Sequence, residues 1–188
     1  MTINSGLGAM MAGGNPTSGR QINDFYSTPY DVTKVLIKQY PMTNYVVWEP
    51  CCGSGAMTKI LEENNIAVFS SDINPQGCGV MMNILETKTI PNDCKAIITN
   101  PPFNIAEQII RHAWIELKID WMALVLKSTY WHSVRRQKLW NDCRPTAIHP
   151  LTWRPDFMEL GRPTMEVMWC IWDRDTNYDN VIYQPLNR

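Results

Sequence analysis

Apolar residues recur along this chain in two rhythms. Short apolar-rich runs of strand length stand at residues 45–48, 66–71, 95–99, 121–126, 145–151 and 165–172, and such runs, rich in Val, Ile and aromatic residues, predict strands. Between them the spacing lengthens to that of helices. Over residues 31–40, Val32, Val35, Leu36 and Tyr40 fall on one face, an amphipathic helix. Residues 56–64 and 130–141 predict further helices. Another follows from Ile105, Ile109, Ala113 and Leu117, which recur every four residues. No helical pattern fits between the last two strands, so they predict an antiparallel hairpin with a long loop at residues 152–164.

Chemistry enters where the run at 95–99 stops, at Asn100, Pro101, Pro102 and Phe103. Two consecutive prolines remove two backbone donors and push each preceding residue toward extended geometry, so neither Asn100 nor Pro101 can pass into a helix. The Asn100 side-chain oxygen and the Pro101 carbonyl can face one amino group, and Phe103 offers a ring face for a planar base. An exocyclic amine such as adenine's is a poor nucleophile because its lone pair is delocalised into the ring. Two acceptors placed where positive charge develops let that nitrogen pyramidalise and attack an activated carbon. A proline-stiffened turn after a strand would use the same four residues without any chemistry; the segments upstream favour the pocket.

The run at 45–48 closes on Glu49 and is followed by Pro50, Cys51, Cys52, Gly53, Ser54 and Gly55 before the helix at 56–64. Gly53 and Gly55 permit a tight turn and a close backbone approach to a ligand, and the helix behind them offers free N–H groups to an anionic group such as a carboxylate. This is not a phosphate-binding loop, since Ala56, Met57 and Thr58 follow Gly55 where that motif has Lys and Ser or Thr. The run at 66–71 ends at Asp72, with Ile73 next. In dinucleotide folds an acidic residue about 20 positions past the glycines holds ribose hydroxyls. Asp72 fits that spacing, and it equally fits a turn cap ahead of Asn74 and Pro75.

Taken in order, these segments resemble the Rossmann-like methyltransferases that use S-adenosyl-L-methionine, and among them the small phage-encoded N6-adenine DNA methyltransferases. The resemblance covers residues 24–173. It implies an α/β fold with a mostly parallel seven-stranded sheet and an antiparallel C-terminal hairpin. It implies that Tyr26, Thr28 and Pro29 form an element touching the methionine end of the cofactor. Glu49, Pro50, Cys51, Gly53 and Gly55 would form the cofactor loop, Asp72 with Ile73 the ribose site, and Asn100 to Phe103 the catalytic motif. Asn83 is the nearest candidate for the position, usually Asp, that holds the cofactor's adenine amino group. The implied activity is methyl transfer to the adenine N6 amino group of DNA in the host cytoplasm, protecting phage DNA from restriction. The pocket chemistry also accepts RNA adenine or a protein glutamine amide, and a degenerate fold that binds cofactor or nucleic acid without transfer is the rival of another class.

A chain of 188 residues with 45% hydrophobic content can bury a full core as one domain. The expected layout is a flexible Gly-, Ser- and Asn-rich tail at 1–22 and a single domain at 23–188, with no room for a separate target-recognition module. No apolar run approaches a membrane span. Six cysteines without a Cys-x-x-Cys pair and three scattered histidines predict reduced thiols and no metal site. From residue 127 to 162 there are seven Lys or Arg against three Asp or Glu, in a chain of net charge −1. Trp153, Arg154, Phe157 and Arg162 in the hairpin loop, with Trp131, Arg135 and Arg136 in the helix before it, form a candidate DNA surface of stacking rings and phosphate contacts. A solvated helix face beside a core tryptophan fits the same residues. The sequence sets no oligomeric state.

Overall fold

The computed structural model describes residues 27–42, 44–159, 161–176 and 179–188; the tail expected at 1–22, and Tyr26, lie outside the described residues. Helix α1 (Tyr30–Gln39) starts directly after Pro29. Strand β1 (Val46–Glu49), helix α2 (Ala56–Glu63) and strands β2 (Ala67–Asp72) and β3 (Val80–Met81) follow. Next come β4 (Ala96–Thr99), helix α3 (Ala106–Arg111), which runs on through a π-helical turn at His112–Glu116, and β5 (Trp121–Lys127). Helix α4 (Gln137–Asp142) and strands β6 (Ala147–Pro150), β7 (Val167–Asp173) and β8 (Ile182–Tyr183) complete the order.

All eight strands join one sheet in the order β3-β2-β1-β4-β5-β7-β6-β8. The pairs from β3 through β5 are parallel, and β7 runs antiparallel to both β5 and β6. The α/β class and the reversed hairpin member therefore match the sequence reading. The strand count is eight where seven were expected. Edge strands β3 and β8 are two residues long, too short to leave a period in the sequence.

The helix expected at 130–141 is also shorter. A 3-10 turn at Val134–Arg136 precedes α4, and the Ser133 side chain accepts from the Arg135 N–H at its start. A serine in that cap position satisfies the first free donor and lets the chain ahead of it leave helical geometry. Tyr130 and Trp131 consequently sit in turns that close on Lys127 and Thr129.

Burial explains the order of layers. Strands β4 and β5 are buried on both faces, as parallel strands covered by helices on each side must be. Alternate residues of β5 divide between two cores. Ala123 and Val125 join Val32 and Leu36 of α1 and Met57 and Leu61 of α2. Met122, Leu124 and Leu126 join Ile109 and Ile110 of α3 and Leu139 of α4. Three fully buried tryptophans each find an acceptor for the indole N–H. Trp48 donates to Ser71 Oγ at 2.8 Å, Trp169 to the Val32 carbonyl at 3.0 Å and Trp172 to the Cys143 carbonyl at 2.8 Å, which removes the cost of burying a polar edge.

Two buried titratable groups give stability opposite slopes with pH. His149 has no exposed surface; its Nδ1 lies 2.7 Å from the Gln184 carbonyl and its Nε2 2.7 Å from the Tyr40 hydroxyl. A carbonyl only accepts, so Nδ1–H donates and Nε2 accepts from Tyr40. Burial lowers the imidazole pKa, so the unfolded chain takes up the proton first and stability should fall as pH drops below about 6.5. His149→Gln should lose that part of the slope and about 1–3 kcal/mol at neutral pH, read from thermal midpoints across pH. Glu49, at the end of β1, is 2% exposed. The Thr58 hydroxyl donates to its Oε2, and Thr58 Oγ1 lies 2.6 Å from Ser70 Oγ. Desolvation nonetheless pushes this carboxyl up from 4.5 to about 8. The folded state favours the protonated acid, so its contribution is complete below pH 4.5 and is lost as pH rises toward 8. Glu49→Gln should therefore raise the unfolding midpoint at pH 8 and leave it near wild type at pH 5.

Candidate functional site

The sheet changes direction of growth between β1 and β4: from β1 the chain adds β2 and β3 on one side, then returns to place β4 and β5 on the other. Loops leaving the carboxyl ends of such neighbours diverge, and the crevice between them is where open α/β sheets bind ligands. A cavity of about 580 Å³ opens there. Its walls come from the loop after β1, the start of α2, the end of β2, the segment after β4, and Phe157 and Met165 from the hairpin loop.

The loop after β1 is held by backbone and carboxylate together. Cys52 N–H donates to the Ser71 carbonyl at 3.0 Å and Gly55 N–H to the Cys52 carbonyl at 2.7 Å. Gly53 and Gly55 have φ of 51° and 80°, the left-handed region that side chains disfavour. Space is also short: a Cβ on Gly55 would stand 2.6 Å from Cys78 Sγ. Asp72 binds this loop directly, its Oδ2 accepting from Gly53 N–H at 2.9 Å and its Oδ1 from Asn74 N–H at 2.8 Å. The turn-cap role is therefore present, and the same carboxylate lines the cavity. With two oxygens and about four acceptor directions, it keeps capacity for a ligand.

Asn100 stands opposite. Its Nδ2 donates to the Thr28 hydroxyl at 3.1 Å, which orients the amide and leaves Oδ1 as its acceptor, and Pro101 next to it also lines the cavity. Thr28 is buried, 8% exposed, while Asn100 is half-buried at the cavity wall. Pro101, Pro102 and Phe103 all line the cavity, as do Glu49, Cys51 and Ile73. Burial pushes the Cys51 thiol up to about 12 and raises Cys52 as well, the opposite of an activated thiolate. All six cysteines are free thiols.

Other expected site residues lie elsewhere. Asn83 caps the short 3-10 turn at Ile84–Glu86, its Oδ1 accepting from Leu85 N–H at 3.1 Å and its Nδ2 donating to Glu86 at 2.8 Å; it does not line the cavity. Pro29 stands at the start of α1 and Pro50 is buried behind the loop. Ser54, Asn74, Gln76 and Met165 line the cavity without having been singled out in sequence. Gly79 is a further hidden constraint, since a Cβ there would stand 2.6 Å from the Ser70 carbonyl oxygen. Only the packing of the second loop on the first makes these visible.

The aromatic members of the expected DNA surface all pack against neighbouring side chains, and Phe157 also lines the cavity. Trp131 lies edge-on between Tyr130 and Trp140, with ring centroids at 5.0 and 5.1 Å, and donates to Cys170 Sγ at 3.4 Å. Phe157 is 8% exposed and belongs to the core beneath α1 while its surface reaches the cavity. Trp153 packs partly buried against the same core. Arg136 pairs with Glu107 and covers the Tyr130 ring at 4.4 Å. Arg154 places Nε and Nη2 at 3.2 and 2.6 Å from one Glu166 oxygen. Arg135 and Arg162 are exposed. Among the described residues no group of three or more His, Cys, Asp or Glu is placed to hold a metal ion, and no helix is long and apolar enough to cross a membrane.

No protein-family model matches the chain, and no curated protein matches it. Solved structures do. A protein from Vibrio vulnificus YJ016 assigned as the modification subunit of a type I restriction enzyme superposes with a TM-score of 0.63 at 14% identity, over 98% of this chain and 53% of that one. A Pyrococcus horikoshii protein assigned as an RNA methyltransferase gives 0.61 at 15% identity, over 83% and 91%. A dimethyladenosine transferase from Plasmodium falciparum gives 0.56 at 13% identity, over 78% and 61%. The chain spans about half the length of the first of these. What is common at such identities is the fold, and this chain has the Rossmann-like fold of the class I methyltransferases.

Proposed function

We propose that this protein transfers a methyl group from S-adenosyl-L-methionine to the N6 amino group of adenine in DNA. The observation that carries the reading is the Asn100 amide, fixed by Thr28 through Nδ2 with Oδ1 left as its acceptor. Asn100 and Pro101 line one cavity with Asp72 and the loop after β1. That cavity, about 580 Å³, has the size of a small-molecule site. Its donor set suits the cofactor: Asp72 for ribose hydroxyls, the exposed face of Ile73 for a flat ring, and free N–H groups at the start of α2 for a carboxylate. Glu49 adds a buried acid that a cationic ligand group would drive toward its ionised form. When bound, the cofactor supplies an electrophilic methyl group on a sulfonium.

The chain's own residues do the rest. Asn100 Oδ1 and the Pro101 carbonyl accept the two N–H bonds of the amino group, and their partial negative charge stabilises the positive charge that develops on its nitrogen. Phe103 and Phe157 close the base in from the cavity walls. No strong base is required. Arg135 and Arg162 remain for phosphate contact. The hairpin loop and the segment before α4 are the candidates for reading base edges, and each good base contact supplies about 1–3 kcal/mol of discrimination, which suits a short or relaxed target context. The ordered motif resemblance supports adenine in DNA over RNA adenine or a glutamine amide. Incubation with labelled cofactor and duplex DNA, RNA or protein, followed by nucleoside and peptide analysis, tests this; absence of N6-methyladenine from the DNA arm would sink it.

Asn100→Ala removes one of the two acceptors and should lower the transfer rate at saturating cofactor by about 100-fold or more, while thermal unfolding and cofactor titration stay near wild type. Asp72→Ala should weaken cofactor binding by about 1.5–3 kcal/mol, the scale of hydrogen bonds to a charged acceptor. Calorimetric titration of a folded variant with unchanged affinity would remove Asp72 from the ribose role.

A further inference from the structure

Lys127 stands at the carboxyl end of β5, on the far side of Asn100 from the glycine loop. In the β4–β5 register Thr99 faces Leu124. Asn100 would therefore face Val125, and Lys127 lies past the point where Pro101 and Pro102 carry their chain out of the sheet. Residues of β5 alternate between faces, and Trp121, Ala123 and Val125 share the core that contains Phe157. Lys127 is the next residue on that face. Its ammonium lies 5.2 Å from the Phe103 ring centroid. The backbone beneath it is held by β7, where Lys127 pairs with Val167, so the side chain springs from a rigid strand end.

Among the described residues the charge of Lys127 faces the Phe103 ring and no carboxylate. Arg154 engages Glu166, and Glu107 and Asp142 are engaged by Arg136, Arg111 and Lys138; Lys127 has no carboxylate partner among the described residues. The order β2-β1-β4-β5 separates two halves of the site. Asp72 and the loop lie on the β1 and β2 side, whereas Lys127 lies on the β5 side, beside Phe103 of the cavity wall. A cation beside that ring suits a polyanion and offers nothing to a neutral protein amide.

We propose that Lys127 holds a backbone phosphate beside the extruded adenine, which makes it a substrate-binding residue and ties this pocket to nucleic acid. The proposal rests on the adenine methyltransferase reading of the cavity. Its test compares the full chain with Lys127→Gln and Lys127→Arg, using unmethylated plasmid DNA, saturating cofactor and a series of salt concentrations. Lys127→Gln should raise KM for DNA about tenfold, change kcat less than about threefold, and flatten the slope of log KM against log salt by about one unit, the signature of one lost phosphate contact. Lys127→Arg should restore both, and cofactor affinity measured by calorimetry should be unchanged in each variant. A Lys127→Gln enzyme with the wild-type KM and salt slope, or one that loses cofactor affinity instead, overturns the contact while leaving the reading of the cavity in place. A wild-type protein that methylates no nucleic acid overturns that reading and the contact with it.

Discussion

Pro101 and Pro102 have no backbone N–H to donate, so the ladder that holds β4 between β1 and β5 cannot continue past Asn100. The strand is buried on both faces up to that point, so its termination is abrupt: a residue earlier the chain is core, and a residue later it is cavity wall. The cavity is arranged around this stop. β1 ends beside it and turns away through glycines, β5 runs on past it, and the crevice between the diverging loops follows from parallel strands that all finish at the same edge of the sheet.

Polar groups at that edge are held by one another in ways that leave selected atoms free. Asp72 ties the loop after β1 to the turn after β2 through two backbone donors, and Thr28 takes the amide nitrogen of Asn100. Each bond removes rotational freedom from a residue that lines the cavity, which lowers the ordering entropy of any ligand contact made through it. Glu49 lies deeper. It is buried and biased toward the neutral acid, a state that a positive ligand group reverses, whereas Cys51 and Cys52 beside it are kept neutral by the same burial.

The basic stretch after β5 has a different logic. Much of its charge is engaged within the fold: Arg154 braces the hairpin loop against Glu166, and Arg136 braces the start of α4 against Glu107. The exposed Arg154–Glu166 pair contributes little stability by itself, but it braces the hairpin loop that brings Phe157 and Met165 to the cavity. Lys127, beside the Phe103 ring, has no carboxylate partner among the described residues, so net charge alone does not describe the stretch.

Alternating apolar periods determined the α/β class, the helices on either side of the sheet and the reversed hairpin, because burying a strand on two faces or a helix on one leaves a local signature. The Asn-Pro-Pro-Phe segment and the glycine loop were legible for the same reason, since proline and glycine restrict backbone geometry wherever they occur. Tertiary structure alone decided the rest. Edge strands β3 and β8 exist through pairing with β2 and β6, not through any pattern of their own. Trp131 packs half-buried between Tyr130 and Trp140, whereas Phe157 reaches both the core and the cavity, because aromatic composition cannot say which way a ring faces. Thr28 and Asn100 lie 72 positions apart, and Lys127 reaches Phe103 only through the β4–β5 register. Contacts between segments distant in the chain carry no local period, so only the assembled sheet could reveal them.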